Sequence, residues 1–326
     1  MTETLVDVPG ALLCAETFGN PADPAILLIG GIAGAMDWWH ADFCQALADG
    51  GPPGSTSDSI SDGPAGSAAD SGADDAADSA ASAAAARARR GANGGRFVVR
   101  YDHRDTGRSR TDPPGAPSYT GDDLALDPVR LLDALGIGQA HLAGVSMGGG
   151  IAQQTAIEHR RRVASLTLIS TSPVTKVPGT QLPGPTARAR AQFDDPPPDP
   201  DWGDPEAVVR YLVAGERAFA GPGYDELAAL ATARRVVRRS IDPAAAANHY
   251  LVESRPVRGS LADIAVPTLV LHGDADPLFP PEHGEALAAA IEGARFVLLP
   301  GVGHQYPPRA AWDVVVPEIR AISAPA

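Results

Sequence analysis

The stretch that most limits what this chain can fold into is Gly144-Val145-Ser146-Met147-Gly148, a Gly-x-Ser-x-Gly turn, together with the residues on either side of it. Ala140 to Val145 is a short apolar run that reads as a buried parallel strand. Met147 to His159 reads as a helix whose start is crowded with small residues. A strand-to-helix turn this sharp drives the serine towards positive φ and presses strand against helix, so glycine is needed at 144 and 148, where a Cβ would collide. The predicted outcome is a Ser146 hydroxyl raised above the sheet, with the first amides of the helix aimed at the point where an oxyanion forms. The pentapeptide alone is a weak signal in a chain with 35 glycines. Its strand-to-helix context is what makes it informative.

A fold around such a turn needs a large core, which 326 residues at 44% hydrophobic and 20% charged can supply as one domain or a domain plus an insertion. The net charge of -14 argues against nucleic acid or an anionic membrane as partner, since both require clustered Lys and Arg. Lys176 is the sole lysine among 26 basic residues, which reads as a coding bias and not as chemistry. Cys14 and Cys44 form no Cys-x-x-Cys, and the N-terminus lacks the pattern of a signal peptide. No apolar run approaches the roughly 18 residues of a membrane span. A cytoplasmic protein is expected.

In chain order, Leu5 to Val8 and Leu12 to Phe18 alternate as antiparallel edge strands. Ala25 to Ile29 is apolar throughout and suits a central strand covered on both faces. Gly30-Gly31-Ile32-Ala33-Gly34 then follows at the carboxyl end of that strand, where open α/β sheets bind ligands, and can present a second oxyanion donor before a helix near Trp38 to Ala48. Gly51 to Gly95 is Ser, Ala, Gly and Asp, with Ile60 its only large aliphatic residue. It cannot offset the backbone ordering cost of roughly 1 to 2 kcal/mol per residue, so it is expected to be a disordered insertion, with a fraying helix at most over Asp70 to Arg90.

Order returns with the strand Phe97 to Tyr101. The loop Asp102 to Ser109 after it is rich in groups able to pair with one another and with backbone amides, so a structural clamp is expected there, His103 included. Asp122 to Leu135 reads as a helix kinked at Pro128, and Val163 to Ser170 as another buried strand. From Pro173 to about Ser260 the strand-helix rhythm stops. Helices are predicted from Asp204-Pro205 towards Ala220 and over about Asp225 to Ser240, forming a lid over a pocket lined from among Phe193, Trp202, Tyr211, Phe219, Tyr224, His249 and Tyr250. The rhythm then resumes. Asp274 and Asp276 follow the strand Thr268 to Leu271, and after a helix around Pro281 to Ile291, His304 follows the strand Arg295 to Leu299. Ser146, Asp276 and His304 thus stand in the order serine, acid, histidine, each in a loop at the carboxyl end of a predicted strand.

These features resemble the α/β-hydrolase superfamily, and most the aclacinomycin methylesterase type. The resemblance rests on Tyr101 to Ser109, Gly144 to Gly149, Asp276-Pro277 and Gly301 to His304, and it spans nearly all of the chain except 51–95. The sequence departs from the family pattern at Gly30, where many relatives carry histidine, at Pro128 and in the long insertion. What the resemblance implies is an α/β fold with a mostly parallel sheet flanked by helices and a core of 1–172 and 261–326. A helical lid, 173–260, would be inserted after the sixth strand, and the 51–95 insertion would precede the fourth. The implied roles are nucleophile Ser146, base His304, acid Asp276 with Asp274 as competitor, and oxyanion amides from Met147 and the Gly31 to Ile32 turn. Trp202, Tyr211 and Phe219 are candidate substrate contacts.

The implied activity is hydrolysis of a small alkyl ester of a bulky acid through an acyl-enzyme intermediate, with no cofactor or metal, by a monomer or homodimer. Three alternatives share the motifs. A proline-type aminopeptidase would need an inward-facing lid carboxylate, for which Glu206, Glu216 and Glu226 are available. The others are a peracid-forming haloperoxidase-like enzyme and a non-catalytic binder on the same fold.

Overall fold

The computed structural model describes residues 3–50, 94–110 and 112–324. Eight strands form one sheet: β1 (Glu3–Val8), β2 (Ala11–Phe18), β3 (Ala25–Ile29), β4 (Phe97–Tyr101), β5 (Ala140–Val145), β6 (Val163–Ile169), β7 (Thr268–Gly273) and β8 (Arg295–Leu299). Their order is β1-β2-β4-β3-β5-β6-β7-β8. β1 pairs antiparallel with β2 and β2 with β4, while every pairing from β4 to β8 is parallel. β3 is central, as its uninterrupted apolar run requires.

Because side chains alternate along a strand, the sheet divides the core in two. Leu27 and Ile29 of β3, Leu142 of β5 and Leu166 and Leu168 of β6 face one way. They meet α2 (Gly121–Ala134), α3 (Met147–Glu158) and α7 (Glu282–Ala290) through Leu131, Ile151, Ala152 and Leu287. Ile26, Leu28, Ala143, Val145, Leu269 and Leu271 face the other way, onto α1 (Ala41–Asp49) and α8 (Trp312–Ile322) through Phe43, Leu47, Trp312 and Val315. The helix expected near Trp38 is split into a 3-10 turn at Met36–Trp38 and α1. α2 runs unbroken through Pro128. The proline removes one amide donor, but Leu124, Leu131 and Leu132 are buried, and their packing carries the helix past the gap. Among the described residues no helix is long and apolar enough to cross a membrane.

Between β6 and β7 the chain forms α4 (Ala187–Asp194), α5 (Pro205–Phe219), α6 (Glu226–Arg239) and a 3-10 segment, Pro243–Tyr250. The side chains of Thr186, Asp204 and Asp225 cap the three helices by accepting from amides two or three residues on. α5 and α6 pack through Val209, Val213, Ala229 and Ala233. Arg239, at the end of α6, reaches the main domain, where Glu3, Asp37 and Asp102 all accept from its guanidinium. Burial pushes the Asp102 carboxyl above its usual range, and Arg239 with the Arg108 and Met36 amides pulls it part of the way back.

The loop after β4 is the clamp its composition suggests. Arg104 makes a two-pronged pair with buried Asp127 of α2 at 2.7 and 2.8 Å, and Asp105 accepts from Tyr119 Oη and Asn248 Nδ2. Cys14 and Cys44 are free and buried, and burial pushes both thiols up to about 12, which leaves them protonated near neutral pH.

Except for Gly94 and Gly95, the expected insertion 51–95 lies outside the described residues. Its two flanks meet. Arg96 N donates to Ala48 O at 3.0 Å, and Arg320 of α8 donates to both Leu47 O and Gly94 O. Excising Pro52 to Asn93 and joining Gly51 to Gly94 is therefore expected to leave a folded protein with its midpoint of thermal unfolding unchanged or raised, by roughly 2 kcal/mol of stability at most. Differential scanning calorimetry of the full-length and shortened chains checks this; a lower midpoint would mean that the segment packs on the domain.

Candidate active site

Ser146 stands between β5 and α3 with φ 53° and ψ -118°, a conformation that a non-glycine residue adopts only when its surroundings enforce it. The enforcement is visible in the neighbouring glycines. A Cβ on Gly144 would lie 2.2 Å from Gly148 O, and one on Gly148 would lie 2.3 Å from Ile29 O. The serine backbone is tied on both sides, Ser146 N donating to Ile169 O at 3.0 Å and Ser146 O accepting from Thr171 Oγ1 at 2.8 Å.

Three residues far apart in sequence meet at this turn. Ser146 Oγ lies 2.9 Å from His304 Nε2, and His304 Nδ1 lies 2.9 Å from Asp276 Oδ2. Asp276 is buried, and its other oxygen accepts from the amides of Leu278 and Phe279, both at 2.9 Å. A carboxylate held this way has one oxygen left for the imidazole and fixes which ring nitrogen carries the proton. Asp274 faces elsewhere: its Oδ1 accepts from Gly301 N at 2.7 Å and shapes the turn before His304. His103 is fully buried, and burial together with nearby His249 pushes its imidazole down to about 3, so it is neutral and donates through Nε2 to Gly30 O. It braces the chain and does not reach Ser146.

The amides around Ser146 divide by what they are bonded to. Met147 N opens α3, where the helix dipole adds partial positive charge, and neither Met147 N nor Ile32 N has a hydrogen-bond acceptor among the described residues. Gly31 N differs from the sequence expectation, since it donates to Tyr306 Oη at 2.7 Å and so leaves the expected oxyanion set. The loop bearing Ile32 is held at three points: by Tyr306 at Gly31, by His103 at Gly30 and by His249, whose Nδ1 accepts from Ala33 N at 3.0 Å. His249 Nε2 donates in turn to Arg104 O at 2.7 Å. It was expected among the pocket-lining candidates and is instead a buried strut. Tyr306 was missed altogether, and its only sequence signal is its place two residues after His304.

Above His304 stand two aromatic rings, Phe279 at 5.2 Å and Phe219 at 6.4 Å between centroids. α5 is sewn to the histidine loop, since His304 N donates to Phe219 O and Gly221 N to Gln305 Oε1, both at 2.9 Å. Trp202 and Tyr211 contact one another edge-on at 5.8 Å, and among the described residues neither has a ring contact with His304. Of the three candidate substrate contacts, Phe219 is the one whose ring lies against His304.

The model of the alpha/beta hydrolase fold family matches residues 77–305. The rhodomycin D methylesterase DauP of Streptomyces sp. (strain C5) is 30% identical over 323 residues, covering 90% of this chain and 89% of that protein. The rhodomycin D methylesterase DnrP of Streptomyces peucetius is 29% identical over 239 residues, covering 65% of this chain and 76% of that protein. Among solved structures, the esterase RhEst1 from Rhodococcus sp. ECU1013 superposes with a TM-score of 0.65 at 20% identity, covering 99% of this chain and 98% of that one. The chain belongs to the α/β-hydrolase fold family, and its likeness within that family is to the methylesterase type.

Proposed function

We propose that this protein is a serine hydrolase that cleaves a small alkyl ester of a bulky carboxylic acid through an acyl-enzyme intermediate. The observation that carries the reading is the continuous relay from Ser146 Oγ through His304 to Asp276 Oδ2, 2.9 Å at each step, beside two amides with no other acceptor. His304 takes the Ser146 proton as the oxygen attacks the ester carbonyl, and Ile32 N and Met147 N hold the oxyanion. The protonated imidazole then gives its proton to the departing alkoxide, and water repeats the cycle on the acyl group. Asp276 keeps the productive tautomer and offsets the charge that His304 gains. Residues 173–260 act as a lid, with Phe219 and Phe279 forming the apolar wall next to the imidazole. Likeness to two methylesterases supports the ester bond and the small leaving alcohol.

Ser146→Ala is expected to lower kcat by about a thousandfold or more, roughly 4 kcal/mol of transition-state stabilisation, with the fold intact by circular dichroism. Full hydrolysis by that variant would place the nucleophile elsewhere.

The two aspartates separate the acid from the turn-former. Asp276→Asn should cost roughly a thousandfold in kcat, since an amide cannot hold the same tautomer, whereas Asp274→Asn should leave kcat within about tenfold. The reverse ranking in steady-state kinetics on one ester would reassign the acid.

Tyr306 acts on the reaction through the oxyanion loop, so Tyr306→Phe should lower kcat by about tenfold while KM stays within about twofold. A change confined to KM would make the phenol a substrate contact instead.

A further inference from the structure

A second imidazole stands against the proposed acid and has no part in the proton relay. His272, in β7 after Leu269, Val270 and Leu271, is fully buried. Its Nε2 lies 2.8 Å from Phe279 O and 3.6 Å from Asp276 Oδ2. A carbonyl and a carboxylate only accept, so Nε2 is the nitrogen that carries the ring proton. The hydrogen bond goes to Phe279 O. Asp276 Oδ2 is too far for a second bond, yet close enough for the positive end of the N–H dipole to act on it in a buried setting.

Phe279 passes the same constraint to the other oxygen of the acid. Its carbonyl is held by His272, its amide donates to Asp276 Oδ1 at 2.9 Å, and its ring lies 5.2 Å from that of His304. One side chain thus acts on both carboxylate oxygens, on Oδ1 through the Phe279 amide and directly on Oδ2, the oxygen that takes His304 Nδ1.

The far side of the ring shows what this arrangement costs. His272 Nδ1 is buried with no hydrogen-bond partner among the described residues, a penalty that a leucine at the end of this apolar strand would not carry. The ring has no room to turn over, since a Cβ on Gly284 of α7 would lie 2.7 Å from Nδ1. The titratable groups that bear on it are Asp276 in the loop after β7, His304 in the loop after β8 and His283 of α7. His283 has both ring nitrogens engaged, with Ser172 Oγ and Pro183 O, each at 2.9 Å. Burial pushes the His272 imidazole below its ordinary value, and the Phe279 carbonyl and the Asp276 carboxylate pull it only part of the way back, so the ring is neutral near neutral pH.

We infer that His272 is a positioning residue for the acid: it fixes the turn that carries Asp276 and holds an N–H dipole against the oxygen that bonds His304. The inference rests on the hydrolase reading above. A donor beside Oδ2 takes up part of the negative charge that would otherwise favour the imidazolium, so its removal should keep His304 protonated to higher pH.

The test follows kcat/KM for methyl 2-naphthoate from about pH 5 to 8 in wild-type enzyme, His272→Leu and His272→Gln. Leucine removes the donor, and glutamine carries an N–H the same number of bonds from the backbone. The acid limb should move up by about half a pH unit or more in His272→Leu and stay within about 0.2 unit of wild type in His272→Gln. A limb unmoved or lowered in His272→Leu, or moved equally in both variants, overturns the inference; packing alone would change the rate and not the midpoint. His272→Met, which fills the space without a donor, replaces His272→Leu should that variant fail to fold. The titration of the His304 Cε1–H resonance by proton NMR needs no turnover. If the ester is not cleaved the esterase reading falls, and the inference is decided by that resonance: a midpoint raised in His272→Leu and not in His272→Gln sustains it, and any other pattern removes it.

Discussion

The distance between α3 and the strands beneath it governs the rest of the site. At Gly144 and Gly148 backbone packs on backbone, with no room for a single methyl group, and this contact holds Ser146 at positive φ. Strain of this kind costs of order 1 to 3 kcal/mol and persists only where surrounding bonds over-determine the turn. Here the Ser146 amide completes the β5–β6 ladder and its carbonyl is held by Thr171. The result is a hydroxyl and a helix-terminal amide on the same side of the sheet, displayed by rigid elements and not by a flexible loop.

A second constraint concerns the glycine-rich loop after β3, which has little side chain of its own with which to fix its shape. Its position is set from outside by His103, His249 and Tyr306, which come from the loop after β4, the segment between β6 and β7, and the loop after β8. Each uses a neutral ring group on a backbone amide or carbonyl, so the loop is held without placing a charge next to the Ile32 amide. The family pattern that the sequence resembles has a histidine where this chain has Gly30. In this chain a Cβ there would come within 3.0 Å of Tyr306 Oη, so a phenol from the opposite end of the chain takes up the space beside the loop.

How much of this the sequence disclosed depends on whether the signal was local. The strands β3, β4, β5, β6 and β7 were legible because buried parallel strands are nearly continuous apolar runs, β8 because Phe296 to Leu299 is apolar although the strand is only partly buried, and the serine, acid and histidine because each follows a strand so read. α5 was legible from its cap, Asp204 before Pro205, and α6 as a second helical stretch over about Asp225 to Ser240. The helix continues past Pro128 because tertiary burial of the flanking leucines overrides the loss of one hydrogen bond. Tyr306, His249 and Gly31 N were misread or missed for a common reason. Their roles are pairings across more than two hundred residues, and nothing in composition or spacing records which amide a phenol will meet.

The helical segment is coupled to the chemistry more tightly than a cover would need to be. Phe219 O accepts the amide of His304 itself, and Gly221 and Gly303 are so close that a Cβ on Gly221 would lie 2.1 Å from Gly301 O and one on Gly303 would lie 2.3 Å from Gly221 N. At its other end α6 is moored through Arg239 to Glu3, Asp37 and Asp102. A segment pinned by backbone contact at the histidine and by a buried ion cluster at the far side cannot lift away as a unit without disturbing the imidazole. Between these moorings α4 is tied at both sides as well, Thr186 N donating to Pro277 O at 2.8 Å in the loop after β7 and the Arg188 guanidinium donating to Ala220 O at 2.6 Å at the end of α5, so the bonds that fix α5 beside His304 extend to the helix before it.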